Sequence, residues 1–152
     1  MSLAVLMIDH MFKTIVVGTD GSHTAAKAVA EAIEQAKLLG ATLHVVSVFD
    51  AGKEPPADLA GGDPPKRGPA DAVETLLDDI RFTASAAGIA YKTHARVGDP
   101  AEALLEVAEE QDADLIIVGN KGMAGVKRFL LGNVPNKVSH HAPCSVLIVK
   151  TT

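Results

Sequence analysis

Three glycines, Gly119, Gly122 and Gly132, lie in the segment GNKGMAGVKRFLLGNVP, which follows an apolar run. Glycine lets the backbone turn sharply and approach a ligand closely. Asn133 follows the third glycine at the start of a helical pattern, and the free backbone N–H groups of a helix start favour an anion. Any one of these glycines, taken alone, is explained by a tight turn. Together, between a buried strand and a helix, they indicate a ligand that carries phosphate.

Five short apolar runs alternate with amphipathic segments along the chain. Val and Ile dominate the runs, as buried strands require, and we predict strands at 12–17, 43–49, 90–97, 114–118 and 145–149. The run at 90–97 is more polar and alternates, which is typical of an edge strand. Four helices are predicted. The first has an apolar stripe from Ala25 to Leu39 and ends at Gly40, and the second covers 70–87. The third is capped by Asp99 with Pro100 at its first position, and the fourth runs from Gly132 or Asn133 to Ala142.

Alternating strands and helices predict an α/β domain with a parallel sheet and right-handed crossovers. Both a flavodoxin-like and a Rossmann-like strand order fit this pattern. In either order, ligands bind beyond the carboxyl ends of the strands, where the strand order reverses. We therefore expect the site after Val17, Val48 or Val118. The residues that follow these three positions include Gly18, Thr19, Asp20, Asp50, Gly119 and Asn120.

Composition limits the class of partner. The chain has 14 Lys and Arg against 19 Asp and Glu, a net charge of −5. This balance argues against nucleic acid as a partner, although backbone N–H groups can still hold the phosphates of a nucleotide. The single cysteine, Cys144, allows no intrachain disulfide and favours the cytoplasm. No run reaches the roughly 20 apolar residues of a membrane-spanning helix, so we expect no membrane partner.

The chain is expected to form one domain. Hydrophobic residues make up 47% of it and aromatic residues 3%, which predicts an aliphatic core over residues 12–152. We interpret residues 1–11 as a loose N-terminal extension. The Pro- and Gly-rich segment 51–69 has no apolar period, and we expect it to be a mobile surface loop.

Several motifs in order give the chain its resemblance to a known family. IVVGTDGS near the start, DLIIVGNKG, KRFLLGNV, HAPCSVLIVK and the glycine spacing G-2x-G-9x-G are similar to the universal stress protein family, from Phe12 to Lys150. The resemblance implies a three-layer sandwich around a five-stranded parallel sheet of order 3-2-1-4-5, as in adenine nucleotide alpha hydrolase-like and flavodoxin-like folds. It also implies a stress-response regulator that binds ATP or another adenine nucleotide, with Mg²⁺ held by the phosphates, and a homodimer formed through the strand at 145–149.

The resemblance also implies the residues of the nucleotide site. Gly119, Gly122, Gly132 and Asn133 would face the phosphates and ribose, Gly18, Thr19, Asp20 and Val48 would face the adenine and ribose, and Asn120, Met123 and Val134 complete the set. Asp20 would be the acceptor nearest the base and sugar. Its alternative role is to cap the first helix together with Ser22.

The chain departs from the nucleotide-binding pattern after the third glycine. Asn133 and Pro135 stand where nucleotide-binding members commonly have Ser or Thr and then Ser. Asn133 can donate from its side-chain amide and can cap a helix, so we expect binding to be retained. Two alternatives stay open, namely a cyclic AMP binder and a nucleotide-free interaction module of the same family.

No set of residues predicts efficient catalysis. The chain has no Gly-Lys-Ser/Thr phosphate loop and no G-x-S-x-G motif, and no spacing typical of a zinc site. Asp20, Ser22 and His23 are too close in sequence to form a hydrolytic triad. We expect at most a weak ATPase, with Asp20 or Asp50 near the divalent ion. His44 is expected to be a core or interface histidine.

Overall fold

Strands and helices alternate along the part of the chain that the structure, a computed structural model, describes: residues 12–49, 68–120 and 131–151, together with Leu3. In chain order the elements are β1 (Thr14–Thr19), α1 (His23–Leu39), β2 (Thr42–Phe49), α2 (Pro69–Ala86), β3 (Tyr91–Val97), α3 (Pro100–Glu110), β4 (Leu115–Gly119), α4 (Asn133–His141) and β5 (Ser145–Val149). None of the helices in these ranges combines the length and apolarity needed to cross a membrane.

The strands form one parallel sheet of order β3-β2-β1-β4-β5, which confirms the expected fold and the edge position of β3. β1 lies at the centre, where Val17 pairs with Val45 of β2 on one side and with Ile117 of β4 on the other. The chain order reverses between β1 and β4. This reversal opens the crevice in which parallel α/β sheets bind ligands.

Alternating side chains of the central strands supply both faces of the core. Ile15, Val17 and Leu43 pack with apolar residues of α1 and α2 on one face. Val16 and Ile116 pack with α3 and α4 on the other face. Burying each such aliphatic side chain contributes about 1.5–3 kcal/mol. The three layers therefore hold the sheet rigidly and fix the positions of its strand ends.

The boundaries of β1 and the start of α2 differ from the predicted ones. β1 begins at Thr14 rather than at residue 12, and it continues through Gly18 and Thr19 because these pair with Val46 and Ser47 of β2. Pro69 is the first residue of α2, so the predicted loop 51–69 ends too late; proline suits this position because the first N–H of a helix needs no partner. Residues 51–67 of that loop and the extension 1–11, apart from Leu3, lie outside the described residues.

Candidate functional site

The candidate site lies at the carboxyl edge of the sheet, between β1 and β4. Each helix follows a parallel strand, so all four helices of the described ranges begin at this edge. Gly18 and Thr19 end β1, and Gly119 ends the neighbouring β4. The structure thereby brings together two of the segments that the sequence nominates.

The turn after β1 is held by its own side chains. The Gly21 N–H donates to Thr19 Oγ1 (3.1 Å), and the Ser22 N–H donates to Asp20 Oδ1 (2.8 Å). The carbonyl of Thr19 accepts from the buried Ser47 hydroxyl at 2.9 Å. This turn is rigid, and its backbone donors at Gly21 and Ser22 are already engaged.

The cap of α1 is Ser22 and not Asp20. Ser22 Oγ accepts from the Ala25 N–H at 3.1 Å, whereas Asp20 only braces the turn before the helix. The shared cap considered for Asp20 is therefore wrong, since its carboxylate accepts from a residue that precedes the helix. Asp20 is exposed at the crevice, where its carboxylate can accept from a ligand.

Gly18 and Val48 face the α3 side of the sheet. A Cβ at Gly18 would come within 2.9 Å of a Leu104 methyl group, so glycine here lets α3 pack closely on β1. Val48 is partly buried and packs against the apolar cluster of that same face. The sequence nominated both residues for the adenine side of the site, and the structure adds a packing role for Gly18.

The two ends of the glycine segment meet at Asn120. The Gly132 N–H donates to the Asn120 carbonyl (3.1 Å), and the Asn120 N–H donates to the carbonyl of Val149 (2.9 Å). The glycine segment therefore leaves the sheet at Asn120 and returns beside the same residue. Its interior predictions, Gly122 and Met123 for the nucleotide, lie outside the described residues.

The start of α4 presents backbone N–H donors near Asn120. Gly132 is the N-cap residue, with φ −61° and ψ 167°, and no side chain makes a cap hydrogen bond there. Asn133 is the first helical residue, so the expectation that it caps the helix is wrong; a capping side chain has to come from the residue before. Pro135 has no N–H. The first-turn donors of α4 are thus the backbone N–H groups of Asn133 and Val134.

Among the four helices that the structure describes, α4 has the start best suited to an anion. Ser22 caps α1, and the Asp99 carboxylate caps α3 by accepting from the Glu102 N–H at 3.0 Å. α2 has no side-chain cap but carries Asp71 in its first turn. α4 has neither a side-chain cap nor an acidic residue in its first turn. Its N–H groups and dipole are therefore left to attract negative charge.

Thr151 is a residue of this region that sequence reasoning missed. Asn120 Oδ1 accepts from both the N–H (2.8 Å) and the hydroxyl (3.0 Å) of Thr151. The Thr151 carbonyl accepts from Lys27 Nζ of α1 at 3.2 Å, and Thr151 itself is only 3% exposed. No sequence motif marks this threonine, because its partners come from other elements.

Away from the crevice, His44 of β2 is buried, as predicted, and has a partner that the prediction lacked. His44 Nδ1 and His94 Nε2 of β3 share a hydrogen bond of 2.9 Å. Burial lowers the pKa of both imidazoles, and the charge of Lys92 lowers both further. Among the described residues, no group of three or more His, Cys, Asp or Glu side chains is arranged to hold a metal ion.

Known proteins share this sequence and fold. The sequence profile of the universal stress protein family matches residues 11–150. Universal stress protein Rv1636 of Mycobacterium tuberculosis is 38% identical over 147 residues, which cover 93% of this chain and 98% of that protein.

Solved structures of similar proteins have the same fold. The crystal structure of a universal stress protein in complex with cAMP superposes with a TM-score of 0.72 at 32% identity, covering 93% of this chain and 98% of that one. The protein MJ0577 superposes with a TM-score of 0.75 at 26% identity, covering 92% and 96%. On the profile match, the relatives and the shared strand order, the chain belongs to the universal stress protein family.

Proposed function

We propose that this protein binds an adenine nucleotide, ATP in the first place, in the crevice between β1 and β4, and that it acts as a stress-response regulator. The uncapped, acid-free start of α4 carries the proposal, because it offers the Asn133 and Val134 N–H groups to a phosphate. The hydrogen bond from the Gly132 N–H to the Asn120 carbonyl places these donors beside the end of β4.

The other side of the crevice suits the nucleoside. The Asp20 carboxylate is exposed and can accept from a ribose hydroxyl or from the adenine amino group. Gly18 and Val48, on the α3 face of the sheet, would give the base an apolar wall, and Thr19 ends the same strand as Gly18. The cAMP that the similar crystal structure contains supports an adenine nucleotide as the class of ligand.

A divalent ion would be held mainly by the nucleotide. The described residues hold no cluster of ligands for a metal ion, while phosphate oxygens are good ligands for Mg²⁺. Bound Mg²⁺ would neutralise part of the phosphate charge. Asp20 is the described carboxylate at the crevice that could join it.

The direct test is titration of the purified protein with ATP, ADP, cyclic AMP and adenosine by calorimetry. We expect saturable one-to-one binding of ATP that is at least about tenfold tighter than that of adenosine, since a hydrogen bond to a charged group contributes about 1.5–3 kcal/mol. Mass spectrometry of small molecules released on denaturation would identify a ligand carried from the cell.

Other outcomes of this titration separate the alternatives. Tighter binding of cyclic AMP than of ATP would reassign the ligand. Absence of binding to all four compounds would contradict the proposal and favour an interaction module. Phosphate release during prolonged incubation with ATP would measure any weak hydrolysis.

We also propose that the protein forms a homodimer through β5. β5 is an edge of the described sheet, and its apolar Leu147 is 36% exposed. An apolar edge strand favours pairing with another chain, and two copies would pair isologously. We expect a dimer by light scattering at micromolar concentration and a monomer after Leu147→Lys. A wild-type monomer would contradict this proposal.

The cellular setting proposed for this function is the cytoplasm, without nucleic acid or membrane as a partner. The single cysteine and the net charge of −5 support these assignments.

A further inference from the structure

Thr151 joins α1 to the end of β4 through its backbone N–H and carbonyl and its hydroxyl. Asn120 Oδ1 accepts two hydrogen bonds from Thr151, and the Asn120 carbonyl accepts the Gly132 N–H that precedes α4. Lys27 of α1 donates to the Thr151 carbonyl. A continuous path of hydrogen bonds thus runs from α1 through Thr151 and Asn120 to the first turn of α4.

This path connects Thr151 to the start of α4. With Gly132 as its N-cap residue, α4 has no capping side chain to fix its first turn. The Gly132 N–H bond to Asn120 is the contact that ties this helix start to the end of β4. The two Thr151 donors hold the side-chain oxygen of Asn120, and the Gly132 N–H donates to the backbone carbonyl of that same residue. A buried hydroxyl and N–H that converge on one oxygen hold an amide in one rotamer far better than solvent does.

We propose that Thr151 is a positioning residue of the nucleotide site: it orients Asn120 and, through Gly132, the backbone donors at the start of α4. The inference rests on the proposed function for its effect on affinity. Its structural part, the coupling of Thr151 to Gly132, is independent of any ligand. Thr151 itself is buried, and the role proposed for it is to position other residues rather than to contact the nucleotide.

Thr151→Val keeps the shape and the N–H but removes the hydroxyl, while Thr151→Ser keeps the hydroxyl. We expect the valine variant to bind ATP about fivefold more weakly by calorimetry, the effect of one lost hydrogen bond, and the serine variant to bind like the wild type. Ile80→Val, a core change in α2, is the matched control, because it lowers stability without contacting Asn120. An equal loss of affinity in Ile80→Val would reduce Thr151 to a stabilising residue and overturn the proposal.

A second measurement uses no nucleotide. We expect the amide hydrogen of Gly132 to exchange about fivefold faster in Thr151→Val than in the wild type or in Thr151→Ser. Unchanged exchange in the valine variant would overturn the positioning role. Faster exchange in a protein whose wild type binds no nucleotide would support the coupling and contradict the proposed function alone.

Discussion

Replacing Asn133 with proline is expected to weaken ATP binding by about ten- to a hundredfold without unfolding the protein. The substitution removes the first backbone N–H of α4, and each hydrogen bond to a charged phosphate contributes about 1.5–3 kcal/mol. Pro135 already lacks an N–H, so Val134 would keep the last donor of this turn. Calorimetric titration of the variant with ATP measures the loss.

The fold should tolerate this proline. The first position of a helix favours proline, since its N–H has no partner within the helix. Gly132 has φ −61° and ψ 167°, the extended conformation required of a residue before proline. The Asn133 side chain is exposed, so removing it leaves no cavity. The melting temperature should change little.

Asn133→Ala is the matched control, because it removes the side-chain amide and keeps the backbone N–H. A loss confined to the proline variant would show that the backbone holds the phosphate. Equal losses in both variants would assign the contact to the amide group instead. Wild-type affinity in both variants would contradict the phosphate position proposed at α4. Asn133→Ser tests the hydroxyl commonly found here in nucleotide-binding members of the family.

The fold was predictable because its signals are local. Short Val- and Ile-rich runs, helix stripes and the caps at Ser22, Asp99 and Gly40 report on neighbouring residues. The order 3-2-1-4-5 required the family resemblance, since periodicity alone allows two orders. The end of β1 was placed too early because Gly18 and Thr19 stay in the strand through pairing with β2, which is remote in sequence.

The site was predictable only in part. The glycine motif indicates Asn120 and Gly132, and the structure joins them. The contribution of Thr151 depends on how β5 lies beside β4, so no spacing in the sequence reveals it. The capping role expected of Asn133 was wrong by one residue. A shift of this size decides whether a side chain or a backbone N–H faces the ligand.

The His44–His94 pair is expected to make the stability of the protein fall steeply as the pH drops below about 6.5, the ordinary pKa of histidine. Burial lowers the pKa of both imidazoles in the folded protein. Lys92 and Arg96 oppose a further positive charge there, and Glu110, which pairs with Arg96 at 2.7 Å, offsets this only in part.

The sign follows from proton counts. Between the ordinary pKa and the lowered folded value, the unfolded chain binds protons at these histidines and the folded chain does not. The stabilisation is therefore fully present above the ordinary pKa and is lost as the pH falls toward the folded value. At its steepest, the free energy of unfolding should change by about 1.4 kcal/mol per pH unit for each histidine.

Denaturant unfolding of the wild type at a series of pH values between 5 and 8 measures this slope. Replacing both partners, in His44→Leu/His94→Leu, removes the titrating groups without leaving one imidazole buried alone, and we expect the slope below pH 6.5 to flatten. His140→Gln/His141→Gln is the control, because both side chains are exposed on α4. An equal flattening in the control would exclude the His44–His94 pair as the source. A slope that persists in the leucine variant would also exclude this histidine pair as the source, since the two rings would then contribute nothing to the pH dependence of stability.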